Sequence, residues 1–211
     1  VATFQSTGAN TVQCINYTRA DGTGIAGGGD FADGGEVGGA ARTLGNTDSY
    51  DLSFLTNNVA GITIQAATGI VDFPLQSACS VYANSTQVVA HNTLVKVEFD
   101  TEDYDTQNEF DNATNYRFTA TEAGNYLVIV KVSLQDLADA VWAASTIHKN
   151  GSQVEFTRIS CSHVTSVHPV AVRILKLSAS DYIEGNVKHA YGSDRNHNGG
   201  TYNRIMVQKL D

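Results

Sequence analysis

The chain has 211 residues, of which 17% are charged, and its 13 lysines and arginines stand against 22 aspartates and glutamates for a formal net charge of −9. Because phosphate contacts need clustered cations, this balance argues against nucleic acid as a partner. No apolar run is long enough to cross a bilayer, so we also expect no membrane insertion.

The first 80 residues differ in composition from the remainder. They hold 13 of the 19 glycines but only two of the 13 basic residues, Arg19 and Arg42. The stretch 26–45 is too rich in glycine to fill a core and is typical of loop or closely approached backbone. We predict a domain boundary within residues 74–84, which separates a glycine-rich β shaft or neck module at 1–80 from a second domain at 81–211.

A hairpin is predicted inside the first module. Residues 50–56 and 62–65 have the alternation of strands, and turn signals follow at 57–58 and 68–69. This arrangement resembles the small β modules of phage tail and head fibres. The resemblance implies a narrow shaft or neck in front of the second domain.

The second domain is predicted to be all β. Short segments rich in β-branched and aromatic residues alternate with turn signals, and none has the spacing of an amphipathic helix. They give eight strands, at 93–99, 116–120, 125–134, 140–148, 154–160, 170–177, 182–190 and 202–210. Eight strands at this spacing predict a double-sheet jelly-roll sandwich.

Short and long connections alternate between these strands. Three are compact turns, of which Asn150-Gly151 is the strongest hairpin signal, at 121–124, 149–152 and 178–181. Four are longer, at 100–115, 135–139, 161–169 and 191–201. Because successive strands run up and down, we expect all short turns at one end of the sandwich and all long loops at the other.

Several segments of this domain resemble C1q/TNF-like domains. The most specific are Phe110-Asp111, the run 116–120 with its Tyr-x-Phe-Thr-Ala pattern, and Gly124-Asn125-Tyr126. The resemblance covers about the last 120 to 130 residues, a size that suits one jelly-roll domain. It implies a homotrimer with the domain's termini at the base and binding loops on top. The last strand departs from the family's aromatic and small-residue pattern.

The long-loop end supplies candidate contacts to a host-surface glycan or protein. Its aromatic and hydrogen-bonding side chains suit such ligands, and threefold repetition would add weak contacts as avidity. The candidates are Tyr104, Asp105, His163, His168, Tyr191, Asp194, Arg195, Asn196 and His197. The expected trimer interface uses alternating apolar residues of two strands, for which the sandwich interior is the alternative: Tyr126, Val128, Val130, Val132, Ile205 and Val207.

Other chemistries have less support in the sequence. The acidic run 100–111 is expected to be a solvated loop rather than a catalytic carboxylate pair, so we expect no enzyme. We expect no metal or cofactor, with calcium at this run as the alternative, although the turn glycine of an EF-hand is absent. The three cysteines, Cys14, Cys79 and Cys161, are expected to be buried free thiols.

The sequence thus predicts a homotrimeric fibre or spike tip of a virus of bacteria or archaea. Its C1q/TNF-like head would bind a host-surface receptor, and the glycine-rich module would join it to the rest of the fibre or virion. The alternative is a purely structural role, in which the domain closes the trimer of a fibre or decoration protein while another protein binds the host.

Overall fold

The computed structural model describes residues 2–8, 11–17, 49–163 and 165–211. The chain divides into two units, residues 1–45 and 46–211. The first unit contains an antiparallel hairpin of β1 (Ala2–Gly8) and β2 (Thr11–Tyr17). The predicted glycine-rich stretch 26–45 lies outside the described residues.

The described residues of the second unit contain strands and no helix, and thus no helix that could span a membrane. The strands, in chain order, are β3 (Leu52–Thr56), β4 (Val59–Ile64), β5 (Val71–Asp72), β6 (Ala78–Tyr82), β7 (Gln87–Val89), β8 (Val95–Lys96), β9 (Thr101–Asp105), β10 (Phe110–Asp111), β11 (Arg117–Thr119), β12 (Gly124–Lys131), β13 (Leu134–Leu137), β14 (Trp142–Lys149), β15 (Ser152–Ser160), β16 (Thr165–Val167), β17 (Val170–Leu177), β18 (Tyr182–His189), β19 (Arg195–His197) and β20 (Arg204–Lys209).

Two antiparallel sheets form a sandwich. Sheet 1 has the order β10-β11-β18-β14-β15, with β8 also paired to β18, and sheet 2 has the order β17-β12-β20-β6-β9. The chain passes from β11 in sheet 1 to β12 in sheet 2, returns for β14 and β15, and crosses again for β17, β18 and β20. Repeated crossing between two antiparallel sheets is the topology of a jelly roll, which confirms the predicted fold class.

The core lies between the two sheets. The rings of Phe118 in sheet 1 and Tyr126 in sheet 2 meet with their centroids 5.7 Å apart, and both side chains are fully buried. Gly185 allows the sheets to approach closely, since a Cβ there would lie 2.9 Å from both the Phe99 ring and Val130. Burial of each large apolar side chain contributes roughly 1.5–3 kcal/mol, so this interior provides most of the stabilisation.

The short turns lie together, as the alternation of connections predicted. Ser180 N–H donates to Ala120 O at 2.7 Å, and the Asn150 side-chain amide donates to Asp181 Oδ1 at 2.7 Å. These two bonds link the turn at 178–181 to the turn at 149–152 and to Ala120, which directly precedes the turn at 121–124. The Lys209 ammonium donates to Glu122 at 2.7 Å, so the last strand also ends here. We call this part of the sandwich the short-turn end.

Two strands of sheet 2 were absent from the predicted set. Strand β6 lies within the predicted boundary region 74–84, where it pairs with β20 and β9 and directs Cys79 and Val81 into the core. The placement of the boundary after residue 80 stays a prediction. Strand β9 was included in a long loop because its sequence is acidic. Only Val95–Lys96 of the predicted strand 93–99 is paired.

The hairpin predicted over residues 50–65 is confirmed. Strands β3, β4 and β5 form a three-stranded sheet, which we call the neck sheet. Asn57 and Asn58 have φ values of 50° and 61°, the left-handed conformation that a tight two-residue turn requires and that asparagine tolerates. Cys79 and Cys161 are buried free thiols as expected, and the pKa of each is raised by burial. The side chain of Cys14 lies outside the described residues.

Candidate functional site

Three of the four long connections form a sheet of their own. Strand β13 pairs with β16 and β19, and β19 pairs with β7, through contacts such as Leu134 with His197 and Asn196 with Val88. We call this the loop sheet. It borders a cavity of about 330 Å³ lined by Val88, Gln135, Asp136, Asp194, Arg195, Asn196 and Asn198. The long-loop end is therefore a built surface with a polar pocket.

Asp136 reaches this pocket through an irregularity in β13. The pairing register shifts between Leu134 and Leu137, and Asp136 has a φ of 55°. Bulges of this kind bend a strand and redirect a side chain, and a non-glycine residue at positive φ costs energy that the surrounding structure must offset. The Asp136 carbonyl accepts a hydrogen bond of 3.1 Å from Arg195 Nε, which helps to hold this conformation.

Arg195 is fixed before any ligand arrives. Its guanidinium lies 3.4 Å from the centroid of the Tyr191 ring, a cation–π contact. Its Nη1 donates to Asp194 O at 2.9 Å, and Asp194 Oδ1 in turn accepts from His91 N–H at 3.0 Å. Of the predicted contact residues, the structure thus brings together Tyr191, Asp194 and Arg195.

His197 and the neighbouring His189 are interior residues rather than surface contacts. His197 is fully buried and pairs through Nε2 with Gln87 Oε1 at 3.0 Å, so its predicted role as a receptor contact is not supported by its position. His189 Nε2 donates to Val89 O at 2.9 Å while its Nδ1 accepts Tyr191 N–H at 3.2 Å. Burial lowers the pKa of both imidazoles, which keeps them neutral.

Tyr104 and Asp105 do not lie at the long-loop end. Strand β9 runs along sheet 2 from the long-loop end to the short-turn end. Because this strand was not predicted, the alternation of connections assigned both residues to the wrong end. Asp105 accepts the Phe110 N–H at 2.7 Å, and Thr106 N–H donates to Ala78 O at 3.0 Å, close to the short-turn end. Tyr104 is half exposed on the outer face of sheet 2.

His163 and His168 are exposed in the connection between β15 and β17. The His168 ring lies 6.1 Å from the Tyr202 ring, and Lys131 Nζ is 5.8 Å from the same ring. Neither histidine lines the pocket. Both remain available to a large ligand that covers the long-loop end.

The residues expected at the trimer interface point inward instead. Each is at most 1% exposed within the single chain and belongs to the core between the sheets: Tyr126, Val128, Val130, Val132, Ile205 and Val207. A side chain already buried by its own chain cannot contact another one. The sandwich interior, the alternative for these positions, is therefore where they lie, and any interface must use other residues.

Five of the six carboxylates of the acidic run accept hydrogen bonds from described protein donors, and Glu102 is the exception. Asp100 accepts the N–H groups of Asn84 and Ser85, and although burial raises its pKa, these hydrogen bonds lower it overall. Asp111 accepts backbone N–H groups of its own turn, chiefly from Thr114, which lowers its pKa to about 2. Within the described ranges, no three His, Cys, Asp or Glu side chains are grouped to hold a metal ion.

A larger cavity, of about 570 Å³, lies at the short-turn end. It is bordered by the neck sheet and the last strand, with Phe73, Leu75 and Leu210 among its lining residues. Of its three charged lining residues, Glu122 and Lys209 pair with each other at 2.7 Å, and Asp211 accepts hydrogen bonds from Asn125. This cavity therefore offers apolar surface and few unpaired polar groups, unlike the pocket of the loop sheet.

The pocket also contains residues that the sequence did not single out. These are Gln135, Asp136 and Asn198, which lie next to predicted candidates or in a predicted long loop, and that adjacency was the only available signal. The lining also includes Asn196, which was among the predicted candidates. None of their four side chains makes a hydrogen bond to another described residue, whereas most polar side chains at the short-turn end do. Unpaired polar groups around a cavity are suited to recognise a ligand.

No protein-family model and no curated protein matches this chain. Among solved structures it is similar to the Eiger TNF of S. frugiperda (14% identity, TM-score 0.49, 64% of this chain and 94% of that one). It is also similar to the globular domain of the zebrafish complement 1qA protein (15%, 0.45, 64% and 98%) and to murine APRIL (11%, 0.46, 64% and 99%). The jelly-roll assignment rests on the strand order given above.

Proposed function

We propose that the protein is the homotrimeric head of a viral fibre or spike, which binds a receptor on the host surface through its long-loop end. The observation that carries this proposal is the exposed apolar outer face of sheet 2. Such a face is unusual on a monomer and suits contact with further copies of the same chain.

Cross-strand pairing defines this face. One row of neighbours runs across all five strands through Val172, Ile129, Met206, Ser80 and Tyr104. An adjacent row begins with Ile174, which is 61% exposed, next to Leu127. Side chains alternate along each strand, so this surface is the reverse of the buried core face. We place the trimer interface here.

The neck sheet supports an elongated assembly. A three-stranded sheet with so much exposed apolar surface would gain stability from neighbouring chains. Its exposed apolar side chains are Phe54, Leu55, Val59 and Val71. The likeness of residues 50–72 to phage fibre modules supports a viral origin, a position on the virion surface and a connection to the rest of the fibre.

The position of the neck sheet relative to the pocket supports a receptor-binding role. Gln76, which follows the neck sheet, donates a hydrogen bond to Lys209 O at 2.7 Å, so the neck lies at the short-turn end. The pocket and the exposed loops therefore face away from the attachment point. A binding surface is expected at that free end, and we propose binding rather than catalysis as its role.

The alternative is a structural head that only closes the trimer of a fibre or decoration protein. Both roles require the same interface, so oligomeric state tests what they share. We expect a mass near three times 22.5 kDa by light scattering. Ile174→Asp should yield monomers, while Val88→Asp, a change at a similarly exposed strand residue (58%), should leave the trimer intact. A monomeric wild-type chain would overturn the trimer.

Binding to cells separates the two roles. Fluorescently labelled trimer would be offered to a panel of bacterial and archaeal strains, and Arg195→Ala should lower binding to any strain recognised by the wild type. Arg158→Ala, an exposed arginine on β15, is the matched control. Trimer that binds no strain, or binds equally well after Arg195→Ala, would favour the structural role.

A further inference from the structure

The pocket of the loop sheet has a composition that selects a class of ligand. Its lining contains three carboxamides, two carboxylates, one guanidinium and one valine, contributed by β7, β13 and the segment around β19. Each carboxamide can both donate and accept hydrogen bonds, and each carboxylate accepts them. The four side chains without a described partner, Gln135, Asp136, Asn196 and Asn198, are thus free to exchange water for ligand.

The backbone holds these groups in place. Asn196 lies on a paired strand opposite Val88, and Asp136 is directed by the irregularity of β13. Asn198 is followed by Gly199, where a Cβ would lie 1.8 Å from Asn84 O, so the chain is packed against its neighbour. Backbone fixed in this way loses little conformational entropy when a ligand binds.

Charge argues against an anionic ligand. Asp136 and Asp194 outnumber Arg195, and the guanidinium is already bonded to two backbone carbonyls and stacked on Tyr191. An acidic sugar or phosphate would face two carboxylates with no uncommitted cation among the lining residues. Val88, which is exposed, provides the single apolar surface. A drug-like apolar ligand would find too little contact here.

Adjacent hydroxyl groups on a sugar ring match this pattern. Each hydroxyl donates and accepts at once, as carboxamides do, and the C–H face of a pyranose can rest on a small apolar side chain such as Val88. A cavity of about 330 Å³ lies at the lower end of the usual range for ligand sites, about 300–1,000 Å³, so it suits the terminal part of a glycan rather than a long segment.

From this geometry we infer that the pocket binds the terminal residues of an uncharged glycan, an inference that rests on the proposed receptor-binding role. Polar sites of this size bind weakly, and a dissociation constant on the order of 1 mM corresponds to about −4 kcal/mol. Three copies on one head raise the apparent affinity when the glycans are clustered on a surface.

The test is an array of immobilised glycans that pairs neutral oligosaccharides with their sialylated and sulfated forms. The wild-type trimer should bind neutral glycans and lose binding when an acidic group is added at the terminus. Gln135→Ala should weaken binding at least about tenfold, the effect of one lost pair of hydrogen bonds. Gln153→Ala, an exposed glutamine beside the Asn150-Gly151 turn, should change nothing.

A second variant and the cell assay distinguish failure of the glycan inference from failure of the receptor-binding role. Asn196→Ala should also lose glycan binding. Urea denaturation would verify that each variant is as stably folded as the wild type, and light scattering that it is as oligomeric. Binding to acidic glycans only, to no glycan, or equally by both glutamine variants would overturn the inference. If wild-type trimer nevertheless binds cells and Arg195→Ala does not, the receptor-binding role stands without the glycan.

Discussion

The two ends of the sandwich use the same residue types for opposite purposes. At the short-turn end, Asn150, Asp181 and Glu122 are bonded to protein groups, and Lys149 lies 2.8 Å from Asp181. At the long-loop end, the side chains of Gln135, Asp136, Asn196 and Asn198 border a cavity, and none of them bonds another described residue. Asparagine or aspartate in a loop therefore carries no function by itself, and what matters is whether its hydrogen bonds are made within the chain.

This contrast has a physical origin. Side chains at the short-turn end are bonded across turns that are themselves adjacent, so they contribute to folding. The pKa of Asp181 is held well below its usual range by the hydrogen bonds of Lys149 and Asn150. At the long-loop end, backbone pairing in the loop sheet supplies the order, and the side chains are left for solvent or ligand.

The largest effect on stability is expected at the short-turn end, from Glu109→Ala. Buried Glu109 accepts Thr121 N–H at 2.7 Å and the Thr121 hydroxyl at 2.6 Å, and it also bonds the Ser77 hydroxyl. Removal of the carboxylate leaves several donors without a partner. We expect a loss of about 3 kcal/mol in the free energy of unfolding, measured by urea denaturation.

Glu98→Ala is the control for this change. Glu98 is exposed, and its carboxylate has no bond to another described residue. Its removal should alter stability by no more than about 0.5 kcal/mol. All measurements need one protein concentration, because unfolding of a trimer depends on it. Equal losses for both glutamates would mean that the hydrogen bonds at the short-turn end do not stabilise the fold.

The clustering of the short turns could be predicted because turn chemistry is local. Asn150 and Gly151 fix a tight turn by their own conformational preferences, with φ values of 51° and 78°. The composition of the strands then predicted the sandwich. Strand β9 could not be predicted in this way, because an acidic edge strand has the composition of a loop. This additional strand takes the chain to the other end of the sandwich, so Tyr104 and Asp105 lie away from the long-loop end.

The direction in which a side chain points was the second feature that could not be predicted from the sequence. A shift of one residue in pairing register reverses the face on which every side chain of a strand lies. His197 follows Arg195 and Asn196 in a wholly polar segment, so nothing in its sequence marks it as buried. Similarly, the positive φ of Asp136 depends on the pairing of β13 with β16 and β19, which brings together residues far apart in the chain.

A matched pair of asparagines tests the contrast between the ends directly. Asn150→Ala removes a residue that tolerates the left-handed conformation, together with its bonds to Asp181 and to Tyr182 N–H at 2.9 Å. We expect a loss of about 2 kcal/mol. Asn196→Ala should change stability by less than about 0.5 kcal/mol while it lowers ligand binding. Urea denaturation and the glycan array provide the two measurements.

The opposite order of stability losses would contradict the difference between the two ends. If Asn196→Ala cost more stability than Asn150→Ala, the pocket side chains would be part of the folding interactions and not reserved for a ligand. Asn150→Gly provides a check on mechanism, since glycine restores the backbone freedom but not the side-chain bonds. It should recover only part of the loss.

The smallest effect is expected from pH at the long-loop end. Burial is the main cause of the lowered pKa of His189 and His197, with His91 and Arg195 opposing a proton on His189 and Asp194 favouring one. At His197, Asp100 favours the proton. The unfolded chain therefore binds protons at a higher pH than the folded protein. Stability should be highest above about pH 6.5 and fall as the pH is lowered toward the folded-state values.

The measurement is the melting temperature from about pH 7.5 to about pH 5, an interval that spans the ordinary histidine pKa. His189→Gln and His197→Gln should each lower the melting temperature at neutral pH and also reduce its pH dependence, since each removes one linked proton. His163→Gln, at an exposed histidine in another loop, should leave the pH dependence unchanged. A merely structural loss would lower the melting temperature equally at every pH. If the slope of melting temperature against pH were unaltered in both buried variants, these imidazoles would not be the groups that couple the long-loop end to pH.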